Sequence, residues 1–379
     1  MKKENRKIVI IGPVYPYNSG IAHYTGLMYR ALEKKFDMVM VSYKMQYPKL
    51  LFKQEQKDYS DKTFQIEGTK YWLHTANIVN CIQTAKKINK ISPDMVIFQW
   101  QHPYFAPCFW IVTKRLKHTK ILFVCHNVLP HERFPLDKLL TKITLRQGNC
   151  YIVQSKQDEQ DLKQIIRNPI YERAVHPTYE AYKFTGMTQQ EARRELIIER
   201  EEKVILFFGL IRKYKGLQYL LKAMPRVQKE VEHVRLLVVG EMREEQNQYM
   251  NLIKELEIED VVDLRMEYVP DCEVEKYFMA SDVVVLPYVS ATQSGIVQVA
   301  YGFEKPVIVT NVGGLPEVVS NNRTGYVVKS ENVEQLADAV IRFFAEDKGA
   351  EFSKNIKEEA RRFSWDRMTE VVERLIEKS

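Results

Sequence analysis

Ten short runs of four to six residues, rich in Val, Ile and Leu, recur along the chain at 7–12, 37–42, 95–99, 120–125 and 150–153, then at 203–208, 234–239, 261–265, 283–286 and 306–309. Longer amphipathic segments separate them. Runs this short and this continuously apolar predict strands buried on both faces and joined by helices, the pattern of a parallel sheet. The rhythm breaks between His176-Pro177 and Glu202, where a Pro, a helix start at Gly186-Met187-Thr188 and a highly charged helix over 189–200 intervene. A chain of 379 residues exceeds one ordinary core. The break therefore divides it into two doubly wound α/β domains, expected at 1–180 and 200–360. The segment beginning Phe363-Ser364-Trp365 has apolar positions at helical spacing, so 361–379 is expected to be a helix that needs a core to pack on, the first domain being one candidate.

Several function classes are disfavoured by what the chain lacks. The five cysteines, Cys81, Cys108, Cys125, Cys150 and Cys272, are odd in number and have no CxxC spacing, which speaks against a disulfide framework or zinc site. The basic start is followed by an apolar run that stops at Gly12-Pro13, too short for a signal peptide, and no run approaches a membrane span. A cytoplasmic protein is the expectation. The formal net charge of +7 suits an anionic partner. Lys and Arg alternate with acids through 156–167 and 190–202, which reads as solvated helix faces, and a nucleic-acid partner is not expected. The basic, aromatic stretch 43–53 suits either an anionic membrane surface or an ordinary surface loop.

In doubly wound sheets ligands gather beyond the carboxyl ends of the strands. Four segments there carry polar groups. The loop 12–25 leads into a helix at Gly20, where free backbone N–H groups meet an anion or hydroxyl; its spacing is not GxGxxG. His126 and Asn127 follow a strand directly, where an exposed imidazole binds sugar hydroxyls or moves protons, and His102 follows another. Gly209 ends the first strand of the second half and precedes Arg212 and Lys215, two cations spaced to neutralise one diphosphate. Gln293-Ser294-Gly295 opens a helix whose first N–H groups, at Gly295, Ile296 and Val297, face the same turn. The turn from Asn311 to Glu317 either frames a nucleotide or bends the chain.

Taken with Gly240-Glu241, Ala280-Ser281-Asp282 and Lys305-Pro306-Val307-Ile308…Gly313-Gly314-Leu315-Pro316-Glu317, these segments resemble glycosyltransferase family 4, a retaining group with the GT-B fold. The resemblance spans nearly the whole chain. It implies two Rossmann-like domains facing a central cleft, with a nucleotide-diphosphate sugar in the second and an acceptor in the first. It implies a metal-independent hexosyl-type transferase without cofactor, working in polysaccharide or glycoconjugate assembly, in the cytoplasm or at the inner face of the membrane. Arg212, Lys215 and His126 are then the catalytic candidates. Gly209, Glu241, Gln293, Ser294, Gly295, Ile296 and Val297 are donor-binding candidates, and Gly20, His102 and Asn127 acceptor-binding ones. The family carries two glutamates eight positions apart before the Lys-Pro-Val-Ile strand; here Ala291 or Thr292 and Val299 or Ala300 stand in those places. Alternatives are an epimerase or hydrolase of the same fold, or a nucleotide-sugar-binding module without transferase chemistry.

Overall fold

In the computed structural model, which describes residues 6–17, 19–50, 55–59, 62–130, 134–242 and 246–379, every one of the ten apolar runs forms a strand. They fall into two sheets. The first contains β1 (Lys7–Ile11), β2 (Asp37–Met45), β3 (Lys70–His74), β4 (Met95–Trp100), β5 (Lys120–Cys125), β6 (Cys150–Val153) and β7 (Tyr171–Arg173), in the order β3-β2-β1-β4-β5-β6-β7. The second contains β8 (Lys203–Phe208), β9 (Val234–Val239), β10 (Val262–Arg265), β11 (Val283–Leu286), β12 (Val307–Thr310) and β13 (Gly325–Val328), in the order β10-β9-β8-β11-β12-β13. All pairings are parallel, for example Ile10 opposite Met40 and Ile97, and Leu206 opposite Leu237 and Val284.

Three strands, β3, β7 and β13, escape the sequence reading, and all three lie at sheet edges. An edge strand is covered on fewer sides, so it needs no continuous Val/Ile run. The sequences KYWLH and YER have none. Each sheet reverses its strand order once, between β1 and β4 in the first and between β8 and β11 in the second. Those reversals open the crevices in which doubly wound sheets take ligands.

The chain divides into two compact units, one running to Val175 and taking in Ser364–Ser379, the other covering His176–Phe363. The interval 181–199, which the sequence reading leaves between domains, is built into the second unit. Buried Glu275 accepts backbone N–H bonds from Phe184, Thr185 and Met187 at 2.9, 2.8 and 3.2 Å. Arg193 holds both oxygens of Asp282 at 3.0 and 2.9 Å. The helix expected over 189–200 spans Gln189–Leu196; its start is a Thr188/Glu191 capping box, and it ends where Ile197 turns left-handed with φ 58°.

The last helix, Trp365–Lys378, is capped by Ser364. Its apolar face, Met368, Val371, Val372, Leu375 and Ile376, completes one side of the first sheet with Ile8, Ile10, Ile97, Leu122 and Ile152. Lys120 Nζ donates to Ile376 O at 2.9 Å, and Lys378 Nζ donates to Glu172 at 2.8 Å.

Candidate functional site

In the second unit β8 delivers the chain to Gly209 and β11 delivers it to Pro287-Tyr288, on either side of the strand-order reversal. The loop after Gly209 makes one 3-10 turn, Lys213–Lys215, started by Arg212 in extended conformation and closed by Gly216 at φ 70°. A Cβ on Gly216 would lie 2.0 Å from the carbonyl oxygen of Pro287. Both the left-handed backbone and the close approach therefore require glycine, and they lock the basic turn to the end of β11. The Val289 N–H donates to Tyr214 O at 2.8 Å and reinforces that contact.

This locking turns the Lys215 side chain inward. A Cβ placed on Gly209 would be 3.2 Å from Lys215 Nζ and 3.4 Å from Ile296 Cδ1, so the ammonium sits between the end of β8 and the start of the helix Gly295–Gly302. The residue is 9% exposed and its ammonium lies 5.7 Å from the centre of the Tyr288 ring. Burial, and secondarily the nearby charge of Arg212, push its pKa from 10.5 down to about 8. Among the described residues no carboxylate is within ion-pair distance of it. Lys305 makes the contrast: it is equally depressed to about 8, mainly by burial, but its Nζ donates to Met279 O and Ser281 O at 3.1 and 2.8 Å. Lys305 is a satisfied core lysine. Lys215 is a buried cation facing a crevice.

The helix Gly295–Gly302 starts in the same place. Ser294 is its N-cap residue yet makes no capping bond; its hydroxyl instead meets Tyr288 OH at 3.3 Å. The first-turn N–H groups of Gly295, Ile296 and Val297 thus remain available to a ligand, and nothing lies within 4 Å of where a Gly295 Cβ would be. The preceding turn is fixed by Gly314 N–H donating to Thr292 O at 2.7 Å, which draws in the Asn311–Glu317 turn. Two amide atoms there are buried without a hydrogen-bond partner among the described residues, Gln293 Nε2 and Gln298 Oε1, and Gln298 as a whole is 1% exposed. Glu241 joins through its backbone, accepting from Ile211 N at 2.9 Å. The structure therefore gathers Gly209, Arg212, Lys215, Gln293, Ser294, Gly295, Ile296 and Val297, with Glu241 on the adjoining loop.

Tyr288 is the residue that the sequence reading passes over. It backs the Lys215 ammonium, its carbonyl accepts from Thr310 and Ser330 hydroxyls at 2.5 and 3.1 Å, and burial raises its hydroxyl pKa. The signal was an aromatic directly after a strand-ending Pro.

The other candidates lie in the first unit. Gly20 opens the helix Gly20–Leu32 behind a Ser19 cap, with open space around it. His126 is not the exposed imidazole expected: it is 8% exposed, its Nε2 pairs with Gln99 Oε1 at 2.8 Å, and its ring stands edge-on to Tyr24 at 4.8 Å. Strand β5 ends one residue before it, so its backbone still bonds to Trp100 O and its side chain falls among core groups. Asn127 beside it is partly exposed. His102 turns elsewhere, with Nδ1 accepting from Tyr104 N at 3.0 Å, its ring stacked on Phe134 and its pKa lowered by burial. Part of the basic segment 43–53, residues 51–53, lies outside the described residues.

The architecture, two α/β units with all-parallel sheets, is the GT-B fold of glycosyltransferases. Sucrose-phosphate synthase from Thermosynechococcus elongatus superposes with a TM-score of 0.73 at 17% identity over 99% of both chains. Alr3699/HepE from Anabaena, solved in complex with UDP, gives 0.75 at 15% identity over 99% of this chain and 100% of the other. Residues 188–363, somewhat under half of the chain, match the family model for glycosyl transferases group 1. D-inositol 3-phosphate glycosyltransferase of Mycobacteroides abscessus is 30% identical over 224 residues, 58% of this chain and 49% of the relative. The chain spans about half the length of the curated relatives it matches.

Proposed function

We propose that this chain transfers a hexosyl group from a nucleoside-diphosphate sugar to an acceptor hydroxyl, with retention at the anomeric carbon and without a divalent metal. The observation that carries the reading is Lys215, a buried ammonium between a strand-end glycine and an uncapped helix start, with no carboxylate partner among the described residues. A diphosphate supplies the missing anion. Arg212 and Lys215 then neutralise the charge that grows on the leaving phosphate as the C1–O bond breaks, where electrostatic stabilisation acts most directly on rate. The electron pair of that bond goes to the phosphate oxygen, which accepts the proton of the incoming hydroxyl as the new C1–O bond forms on the same face. Gln293 and Gln298 offer an N–H and an oxygen to the donor in place of the family's carboxylates. The acceptor belongs to the first unit, near Gly20 and Asn127, and polysaccharide or glycoconjugate assembly at the cytoplasmic side of a membrane is the setting proposed.

A nucleotide-sugar-binding protein without transfer is the second reading, favoured by the absence of any acid over residues 290–303. Incubating the purified chain with UDP-, GDP-, ADP- and dTDP-sugars and following nucleoside diphosphate release separates the two. Release with one donor, accelerated by an acceptor, supports transfer. Tight binding with no release from any donor supports the binding module, and conversion of the sugar to an isomer supports an epimerase.

A further inference from the structure

Cys81 and Cys108, two of the five cysteines that look scattered in sequence, meet in the first unit with their Sγ atoms 3.2 Å apart. Cys81 is the fourth residue of the helix Ile78–Ile91, and Cys108 is the third of the helix Ala106–Thr113. The positive end of a helix dipole favours a thiolate at such positions.

A thiol carries one proton, yet Cys81 Sγ lies within hydrogen-bond reach of both Cys108 Sγ and, at 3.6 Å, His74 O. When Cys81 donates to the carbonyl, Cys108 donates to Cys81. That bond from Cys108 lowers the Cys81 pKa, while the same bond and then burial hold Cys108 well above the ordinary thiol value. Burial also raises Cys125 and Cys150. The pair therefore has one sulfur suited to lose its proton and attack, and a second in contact with it to resolve the product.

Two cysteines packed in a core are often no more than small apolar side chains. This pair differs in what it faces. Both line a cavity of about 700 Å3 whose walls include Ala76, Ile78 and Pro107, all exposed. The cavity gives a small solute a route to sulfurs that the helices otherwise cover. A disulfide requires about 2.05 Å between the sulfurs, so these two have roughly 1 Å to close.

We propose that Cys81 and Cys108 form a redox-active dithiol, which hydrogen peroxide converts to a disulfide and a small thiol returns to the reduced state. The Cys81 thiolate attacks one peroxide oxygen and the O–O bond breaks. The departing oxygen takes up protons as water, and Cys81 is left as a sulfenic acid. Cys108 then gives up its proton and attacks the Cys81 sulfur; the S–O bond breaks and hydroxide leaves with that proton as a second water. The two thiols lose two electrons in all, and one peroxide is reduced to two waters. The new bond ties together two helices that wall the cavity. All of these residues belong to the first unit, so the inference does not depend on the donor site in the second.

Peptide mapping tests this on the full chain, reduced, freed of reductant, treated with hydrogen peroxide, and alkylated before digestion with trypsin. Cleavage at lysine places Cys81 in residues 71–86 and Cys108 in residues 91–114. The expected product is these two peptides joined through their cysteines and separated again by dithiothreitol. Cys272→Ser removes the exposed thiol and leaves four; peroxide should bring the number titratable after unfolding to two. Cys108→Ser should stop the reaction at a Cys81 sulfenic acid that dimedone labels, and Cys81→Ser should slow oxidation of Cys108 by about tenfold or more. The map of the unsubstituted chain needs no variant, so a substitution that misfolds does not weaken the test. Recovery of both peptides fully alkylated, at peroxide levels that oxidise Cys272, would overturn the proposal. So would a Cys81 sulfinic acid without cross-link, or a disulfide from Cys272 to either thiol as the main product.

Discussion

A lysine that keeps its charge inside a protein needs an anion, and among the described residues Lys215 has no carboxylate to supply one. With its pKa lowered from 10.5 to about 8, carrying the charge at neutral pH costs about 3 kcal/mol in the free protein. The penalty is full below pH 8 and fades as pH rises from about 8 to 10.5, because the folded state prefers the neutral amine. Lys215→Met should therefore raise the thermal midpoint at pH 7, with a gain that shrinks toward pH 10, while donor binding falls; equal or lower stability of the variant at pH 7 would contradict this. The same pKa sets ligand affinity. Binding of a nucleotide sugar, whose diphosphate has no titrating proton near neutrality, should weaken about tenfold between pH 7 and 9 in the wild type and stay flat in Lys215→Met. Gly216→Ala meets the Pro287 carbonyl at 2.0 Å from a left-handed backbone. It should lose roughly 2–4 kcal/mol in denaturant unfolding, and a loss below 1 kcal/mol would mean that the loop relaxes away from β11.

At the scale of elements, what the sequence made legible follows burial. Central strands such as β1, β4, β8 and β11 are sealed on both faces, so their residues must be apolar without interruption, and the runs announce them. The edge strands β3 and β7 face no such demand and leave no run, whereas β13 is largely buried but carries only the pair Val327-Val328, too short a run to stand out. Helix starts were legible where a cap is chemically explicit, as at Thr188 and Ser364. For the site, the glycines and cations at strand ends were visible, because position after a strand is a property of sequence. The burial of Lys215 against Tyr288 was not, because it depends on a turn folding onto another strand's end. The burial of His126 was hidden for the same reason: a strand end can place a side chain in the core or in the crevice. The closing helix supplies a test of its own. Leu375 is fully buried in the core that the helix completes, so Leu375→Ala should cost about 2–5 kcal/mol by chemical denaturation. A cost under 1 kcal/mol would show that the helix is not part of that core.

Across the whole molecule, the chain folds as two compact units with their own cores. One unit holds the candidate diphosphate site, and the other holds the acceptor-side candidates Gly20 and Asn127. Calorimetry of the full chain with and without UDP should raise the transition belonging to the second unit and leave any separate transition of the first in place. The most direct test of the central claim is isothermal titration of UDP, GDP and ADP into the wild type, Lys215→Met and Lys213→Met. Lys213 is an exposed neighbour on the same turn, so it controls for general basicity. One nucleoside diphosphate should bind at a single site, with about a hundredfold loss for Lys215→Met and little change for Lys213→Met. Equal losses in both variants, or no binding by the wild type, would contradict it.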